Sequence, residues 1–250
     1  MQDYKQIERI RRRHELLFYR ELSKLFLDDI RKLKTAIRQN PAEAVGLIDT
    51  LFDEYRILEI VRINYERIGS AEAVRVYEMI LDKYEQKAAF PSVGFASEII
   101  MAIIRRIAGR PEIASRIKNV SDNLKTSVRT KLQEAMKTTL AARSIAALFT
   151  ADFGRERALR IVRTETTIIF NEASITGAKS TGVPLKKRWL AGSDARTRDS
   201  HLEMNNKPAI PLDSRFQVGQ SEMMQPGDAA GGAKEVVNCR CTMTYELDRV

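Results

Sequence analysis

The sequence predicts an α+β protein: a long, mostly helical N-terminal portion followed by a small mixed α+β C-terminal domain. Three observations predict it. Apolar residues recur at helical spacing, with charges between them, from the N-terminus to about residue 150. No Gly or Pro interrupts the chain between Pro111 and Gly154. Beyond Gly182 the texture changes to glycines, prolines and short apolar runs. The resulting division is a helical region over 1–150 and a C-terminal domain over 151–250.

Ile7, Ile10, Leu17 and Leu25 open the first helix. Asn40-Pro41-Ala42-Glu43 restarts the chain, with Asn40 as N-cap, Pro41 at the first helical position and Glu43 closing a capping box. Gly69-Ser70 reads as a further stop and start, Gly for the C-terminal end and Ser70 as the next cap. Ala89-Phe90-Pro91-Ser92-Val93-Gly94 and Gly109-Arg110-Pro111 break the pattern again. From Pro111, the positions Ile117, Val120, Leu124, Val128, Leu132, Ala135 and Thr139 keep three- and four-residue steps, which describes one very long helix or two joined by a subtle break. A further helix is expected from about Arg155 to Ala178, ended by Gly177 and Gly182. Short strands follow at Arg188-Trp189-Leu190, Ala209-Ile210, Phe216-Gln217-Val218, Val236-Val237 and Thr242-Met243-Thr244-Tyr245, with a turn at Pro226-Gly227-Asp228.

At 250 residues, 44% of them hydrophobic and 30% charged, the composition is that of a globular protein with a substantial core rather than a disordered chain. The 42 basic residues against 33 acidic ones give a net charge of +9, which favours polyanionic partners through counterion release. Arg9, Arg11, Arg12, Arg13 and Glu15 take the place of a signal peptide's apolar core. No run approaches the ~20 apolar residues that span a bilayer, so no membrane partner is expected. Two cysteines one residue apart form no disulfide framework and point to synthesis in a reducing cytoplasm.

Arg116, Lys118, Lys125, Arg129, Lys131, Lys137 and Arg143 lie along the Gly- and Pro-free stretch with few acids to balance them. They read either as a solvated face or as a surface for DNA or an acidic protein. In the next helix Glu165 falls at the centre of a face shared by Ala158, Ile161, Val162, Ile168 and Ile169. A carboxylate in an apolar stripe needs a partner, expected in Arg196, Arg198 or the backbone amides near Asn238. This makes Glu165 a structural clip rather than a general acid or base. Arg163, two residues away, points to another side of the helix.

The segment Ser193-Asp194-Ala195-Arg196-Thr197-Arg198-Asp199-Ser200-His201 reads as a short helix capped by Ser193 or Asp194, with Asp194, Arg198 and His201 along one ridge. Seven helical residues would place Asp194 and His201 about 10 Å apart, too far to share a metal. In Asn238-Cys239-Arg240-Cys241 the alternation of a strand points both thiols one way and Arg240 the other. His201, Cys239 and Cys241 are therefore the candidate metal ligands. Buried free thiols are the plainer reading, and no metal or other cofactor is expected. No Gly-x-Gly-x-x-Gly, Walker loop, Gly-x-Ser-x-Gly elbow or helix-turn-helix occurs.

From about Thr150 to Tyr245 the ordered series Arg163-Thr164-Glu165, Asn171, Lys187-Arg188-Trp189-Leu190-Ala191, Asp194, Arg196-Thr197-Arg198, His201, Phe216, Pro226-Gly227-Asp228 and Asn238-Cys239-Arg240-Cys241 resembles the phage Mu F-like minor head proteins, also called phage head morphogenesis proteins. The resemblance covers little before residue 110. It implies a minor head protein in few copies at the portal vertex, acting in head assembly and in DNA packaging or ejection. The implied partners are the portal protein, packaged double-stranded DNA bound without sequence preference, and other head proteins. The implied location is the virion, after synthesis in the host cytoplasm. It assigns no chemistry to Asp194, His201 or Cys241, so the chain is expected not to be an enzyme. Some relatives carry toxin modules after this domain, and none is expected here because the chain stops at Val250. The alternative is a metal- or thiol-dependent hydrolase or nuclease using Glu165, Asp194, His201, Cys239 and Cys241.

Overall fold

The computed structural model describes residues 4–84, 93–192 and 194–248. Helices α1 (Tyr4–Gln39), α2 (Pro41–Leu47), α3 (Glu54–Lys83), α4 (Val93–Ala108), α5 (Pro111–Met136), α6 (Ala142–Ala147) and α7 (Ala151–Ser180) come first. Strand β1 (Leu185–Leu190), helix α8 (Asp199–Leu202), strands β2 (Ile210–Pro211), β3 (Phe216–Val218) and β4 (Ser221–Met223), helix α9 (Gly232–Val236) and strand β5 (Thr242–Leu247) complete the chain. The fold is α+β and mostly helical, as the sequence predicts. Of the break expected over 89–94, residues 89–92 lie outside the described residues while Val93 and Gly94 open α4, and the cap expected at Ser193 also lies outside them.

Local chemistry explains most helix ends. Asn40 accepts from the Ala42 amide at 3.1 Å with Pro41 at the first helical position. The capping box is modified: Glu43 accepts from the Asn40 side-chain amide at 2.7 Å, because the Asn40 backbone N–H already serves Ala36 of α1. The long stretch after Pro111 divides into three helices. Thr138 is responsible for one break, since its hydroxyl donates to the Ala135 carbonyl at 2.6 Å and accepts from the Leu140 amide, an alternative to continuing the helix.

Two glycine readings are corrected. Gly69 does not end a helix, and Gly154 and Gly177 lie inside α7. A Cβ on Gly69 would stand 2.7 Å from Ile104 Cγ2 and 3.1 Å from Ile169 Cδ1, so this residue is required by close packing rather than by a turn. Val236-Val237 is corrected as well: Val236 closes α9 instead of forming a strand.

The chain folds as two compact units, Leu17–Ile63 with Gly109–Val162, and Met1–Leu16 with Asn64–Ala108 and Arg163–Val250. In the first of these, α5 buries Ile113, Ile117, Leu124, Val128 and Leu132 at three- and four-residue steps. Its core is pinned at Phe52, which takes φ 51°. Both backbone groups of Phe52 are held: its N–H donates to the buried Asp29 at 2.9 Å, and its carbonyl accepts from Ser121 at 2.5 Å. Asp29 also receives Arg56 at 3.1 Å, which balances its charge.

The other unit contains the sheet β2-β1-β5, all antiparallel, and the hairpin β3-β4. Leu185, Lys187 and Trp189 are the buried positions of β1, and Trp189 meets Phe216 edge to face at 5.4 Å. Lys187 is an unusual core residue. Its ammonium donates to the Met224 carbonyl at 2.7 Å and stands 5.1 Å from the Phe216 ring centroid. Burial, followed by repulsion from Lys179, lowers its pKa from 10.5 to about 8. Between those values the unfolded chain binds the extra proton, so this contribution to stability rises with pH from about 8 to 10.5. The expected gain is on the order of 1–2 kcal/mol after solvent screening. Urea titrations across that range should give a steeper rise for the wild type than for Lys187→Met; parallel profiles would refute the assignment.

Candidate functional site

The site begins where α9 ends. Asn238 takes φ 58°, a left-handed conformation that Asn tolerates, and turns the chain into Cys239-Arg240-Cys241 before β5 starts at Thr242. These three residues lie outside the sheet ladder, so their carbonyls need other donors. Side chains from α1 and α7 provide them. Thr167 donates to Cys239 O at 2.6 Å, Arg11 to Arg240 O at 2.7 Å, and Asn171 to Cys241 O at 3.1 Å. Thr164 accepts from the Asn238 amide at 3.1 Å, and Arg198 donates to Val237 O at 2.8 Å. Thr164, Thr167 and Asn171 are three and four residues apart and form one ridge of α7.

This clamp brings both thiols to His201. Its Nδ1 lies 3.3 Å from Cys241 Sγ and 3.7 Å from Cys239 Sγ. The three atoms fall within 4.8 Å of one another, and all three residues are buried. His201 Nε2 meets Glu235 Oε2 at 2.9 Å, and Ser200 donates to the same oxygen at 3.2 Å. The imidazole is further fixed edge to face on Trp189 at 5.4 Å. Hydrogen bonding with Cys241 holds the Cys239 thiol well below its ordinary pKa, while that same contact and burial push Cys241 up.

A cavity of about 420 Å³ opens on this cluster. Arg163, Arg196, Arg198 and Arg240 line it together with His201 and the thiols. Burial, then the neighbouring Arg240, disfavours the charged form of Arg163, whose buried Nε has no hydrogen-bond partner among the described residues. Arg240 reaches Glu8 at 2.9 Å, and residues 239–241 form no strand, so the alternation expected of a strand does not apply.

The residues singled out from the sequence separate into two groups. Arg163, Asp194, Arg196, Arg198, His201, Asn238, Cys239 and Cys241 all line the cavity, while Asn171 and Trp189 position its walls. Glu165 does not join them. It accepts from the Tyr65 phenol of α3 at 2.5 Å, and the clip to the Cys segment is made by Thr164, Thr167 and Asn171. The expected helix over 193–201 is also corrected. Asp194 accepts from the Arg196 amide at 2.9 Å and from Thr197 at 3.2 Å, closing a turn, and the helix starts at Asp199. Asp194, Arg198 and His201 therefore share no helical ridge.

Sequence reasoning missed Arg11, Glu235 and Thr167, and it quoted Thr164 only within the Arg163-Thr164-Glu165 landmark without a role. The spacing Ile7, Arg11, Glu15, Phe18, Leu22 was the available signal for Arg11, because it sets a cation on a buried ridge. Glu235 was hidden by the strand assigned to its two successors.

The cations of α5 are better balanced than their sequence indicates. Lys118 pairs with Asp122 at 2.8 Å and Arg129 with Asp49 at 2.6 Å. Lys131 donates to Leu148 O at 2.8 Å and lies 5.5 Å from the Phe149 ring centroid. Lys137 is exposed, and Arg116 and Lys125 are half-buried. Among the described residues no helix is long and apolar enough to cross a membrane.

Residues 98–244 match the family described as Phage Mu protein F like protein. A curated relative, the NAD(+)--arginine ADP-ribosyltransferase EFV of Enterococcus faecalis, is 36% identical over 98 residues. That alignment covers 38% of this chain and 20% of the relative, so the chain spans about a fifth of the protein it matches. No solved structure matches.

Proposed function

The chain belongs to the Phage Mu protein F like family of phage head morphogenesis proteins, components of the virion head, and from that premise we propose a place for it at the portal vertex. There it acts in few copies in head assembly and in the packaging or ejection of DNA, with the portal protein and double-stranded DNA as partners. The family match over 98–244 carries this reading. The net charge of +9 supports the DNA part, since sequence-independent affinity rests on cations that replace condensed counterions.

We read the chain as a non-enzyme. The contacts of two of the five candidate groups support this: Glu165 binds an internal phenol, and Asp194 engages its own turn. The transferase activity in the relative's name belongs to that protein, with which this chain shares only the aligned segment.

Quantitative mass spectrometry of purified particles and DNA-free proheads tests the placement. A few copies per particle in both are expected, and absence from both overturns it. Titration of two duplexes of unrelated sequence tests the DNA part. With about four phosphates neutralised, affinity should fall about 100-fold between about 50 and 200 mM salt, equally for both sequences. Binding that ignores salt, or that selects one duplex, would contradict it.

A further inference from the structure

We propose that His201, Cys239 and Cys241 bind one zinc ion, with its fourth coordination position open to the arginine-lined cavity. The geometry carries this assignment. A tetrahedral zinc with Zn–N and Zn–S bonds of about 2.0 and 2.3 Å sets its nitrogen and sulfur ligands about 3.5 Å apart. His201 Nδ1 stands 3.3 and 3.7 Å from the two sulfurs, so both nitrogen–sulfur separations already match the edges of such a polyhedron, and all three ligand atoms lie within 4.8 Å of one another.

The surroundings fit the same chemistry. Glu235 at 2.9 Å from Nε2 fixes the proton on that nitrogen and turns the Nδ1 lone pair toward the thiols, the carboxylate–imidazole–metal arrangement that orients zinc ligands. The Cys241 amide points at Cys239 Sγ at 3.5 Å, a donor for a thiolate. Two buried thiolates need compensating positive charge, which a divalent ion supplies at its centre and Arg11 supplements from the Cys241 carbonyl side. Two sulfurs and one nitrogen select zinc over magnesium or calcium, which prefer oxygen. Because the ion with two thiolates is neutral, the positive charge of the arginine-lined cavity favours an anionic oxygen at the fourth position, from hydroxide, carboxylate or phosphate, although Arg240 also pairs with Glu8 and Arg196 with Asp194.

The clamp is the remaining part of the argument. The carbonyls of residues 239–241 are held by Thr167, Arg11 and Asn171 from two helices, which leaves the thiols little freedom to move apart. Such a preset cluster accepts a metal without refolding.

The test uses the full-length folded protein, stripped with a chelator under reducing conditions and titrated with zinc(II) against a chromophoric competitor. One zinc per chain at submicromolar affinity is expected, with protection of both thiols from alkylation. Cobalt(II) should give the charge-transfer absorption of a two-thiolate, tetrahedral site. Cys239→Ser and Cys241→Ser should abolish stoichiometric binding, and Glu235→Gln should weaken it at least about 10-fold. The wild-type titration and cobalt spectrum need no variant, so an unfolded mutant leaves the test intact. Failure of the folded wild type to bind zinc, or equal alkylation rates with and without it, would overturn the proposal. So would cobalt bound without thiolate absorption. None of these results bears on the copy number in the virion, so this inference and the head-assembly reading fail separately.

Discussion

Replacing Arg11 by alanine is expected to cost the sheet-bearing unit about 3–5 kcal/mol, the range for removing one partner from a buried ion pair. Arg11 is 1% exposed although it sits in the run Arg9, Arg11, Arg12, Arg13. Its guanidinium pairs with Glu8, approaches Glu15 at 3.9 Å, and donates to Arg240 O at 2.7 Å and Cys241 O at 3.4 Å. Burial pushes the Glu8 carboxyl up, and Arg11, Arg12 and Arg240 together more than offset it, so its pKa lies below the ordinary value. Without Arg11, two largely buried carboxylates lose their main counter-charge and two carbonyls of the Cys segment lose a donor at the same time. Arg11→Lys should recover only a small part, because a point charge cannot reach carboxylate and carbonyls together as the guanidinium fork does. Arg13→Ala, at an exposed position of the same run, should stay within about 0.5 kcal/mol of wild type. Urea unfolding of the three variants reads the difference directly. If Arg11→Ala and Arg13→Ala unfold together, the buried network is not what holds this segment.

That contrast marks the limit of what the residues reveal on their own. Binary pattern and turn chemistry located the Asn40-Pro41 cap, the break at Gly109–Pro111, and the strands at Trp189, Phe216 and Thr242–Tyr245, because each depends on neighbours in the chain. The candidate site was legible as a set of residues, since His201, Cys239 and Cys241 converge and Arg163, Arg196 and Arg198 surround them. How they are held was not. The partner of Glu165 is a tyrosine 100 residues earlier, and the donors to the Cys segment include an arginine 229 residues before it. Hydrogen bonds of that separation follow from tertiary packing and leave no local period. Arg11 was nevertheless open to the argument applied to Glu165, a charge on an apolar ridge. The run of charges around it was weighed only against a signal peptide's apolar core.

Gly177→Ala should destabilise the protein by about 2–3 kcal/mol, against the sign that helix propensity alone would give. Gly177 lies in the last turns of α7, where an alanine normally gains about 1 kcal/mol over glycine. Here a Cβ would stand 2.1 Å from the carbonyl oxygen of Ala73 in α3, 2.9 Å from its carbonyl carbon and 3.0 Å from its Cα. All three are backbone atoms, so no rotamer change relieves the clash and the two helices must move apart, a form of overpacking that costs about 1–3 kcal/mol or more. For the same reason Ala73→Gly should not rescue the variant, whereas a side-chain clash would be relieved by it. Gly154→Ala is the internal control. It lies in the same helix, but its Cβ would meet Phe26 and Ile30 at 3.6 Å, an ordinary contact. There the propensity gain stands, and the variant should be more stable by up to about 1 kcal/mol. Two identical substitutions in one helix are thus expected to shift stability in opposite directions. Chemical denaturation of both, with Ala73→Gly added to the first, decides the point: a Gly177→Ala protein at least as stable as wild type would mean that α3 and α7 do not approach each other through backbone at this position.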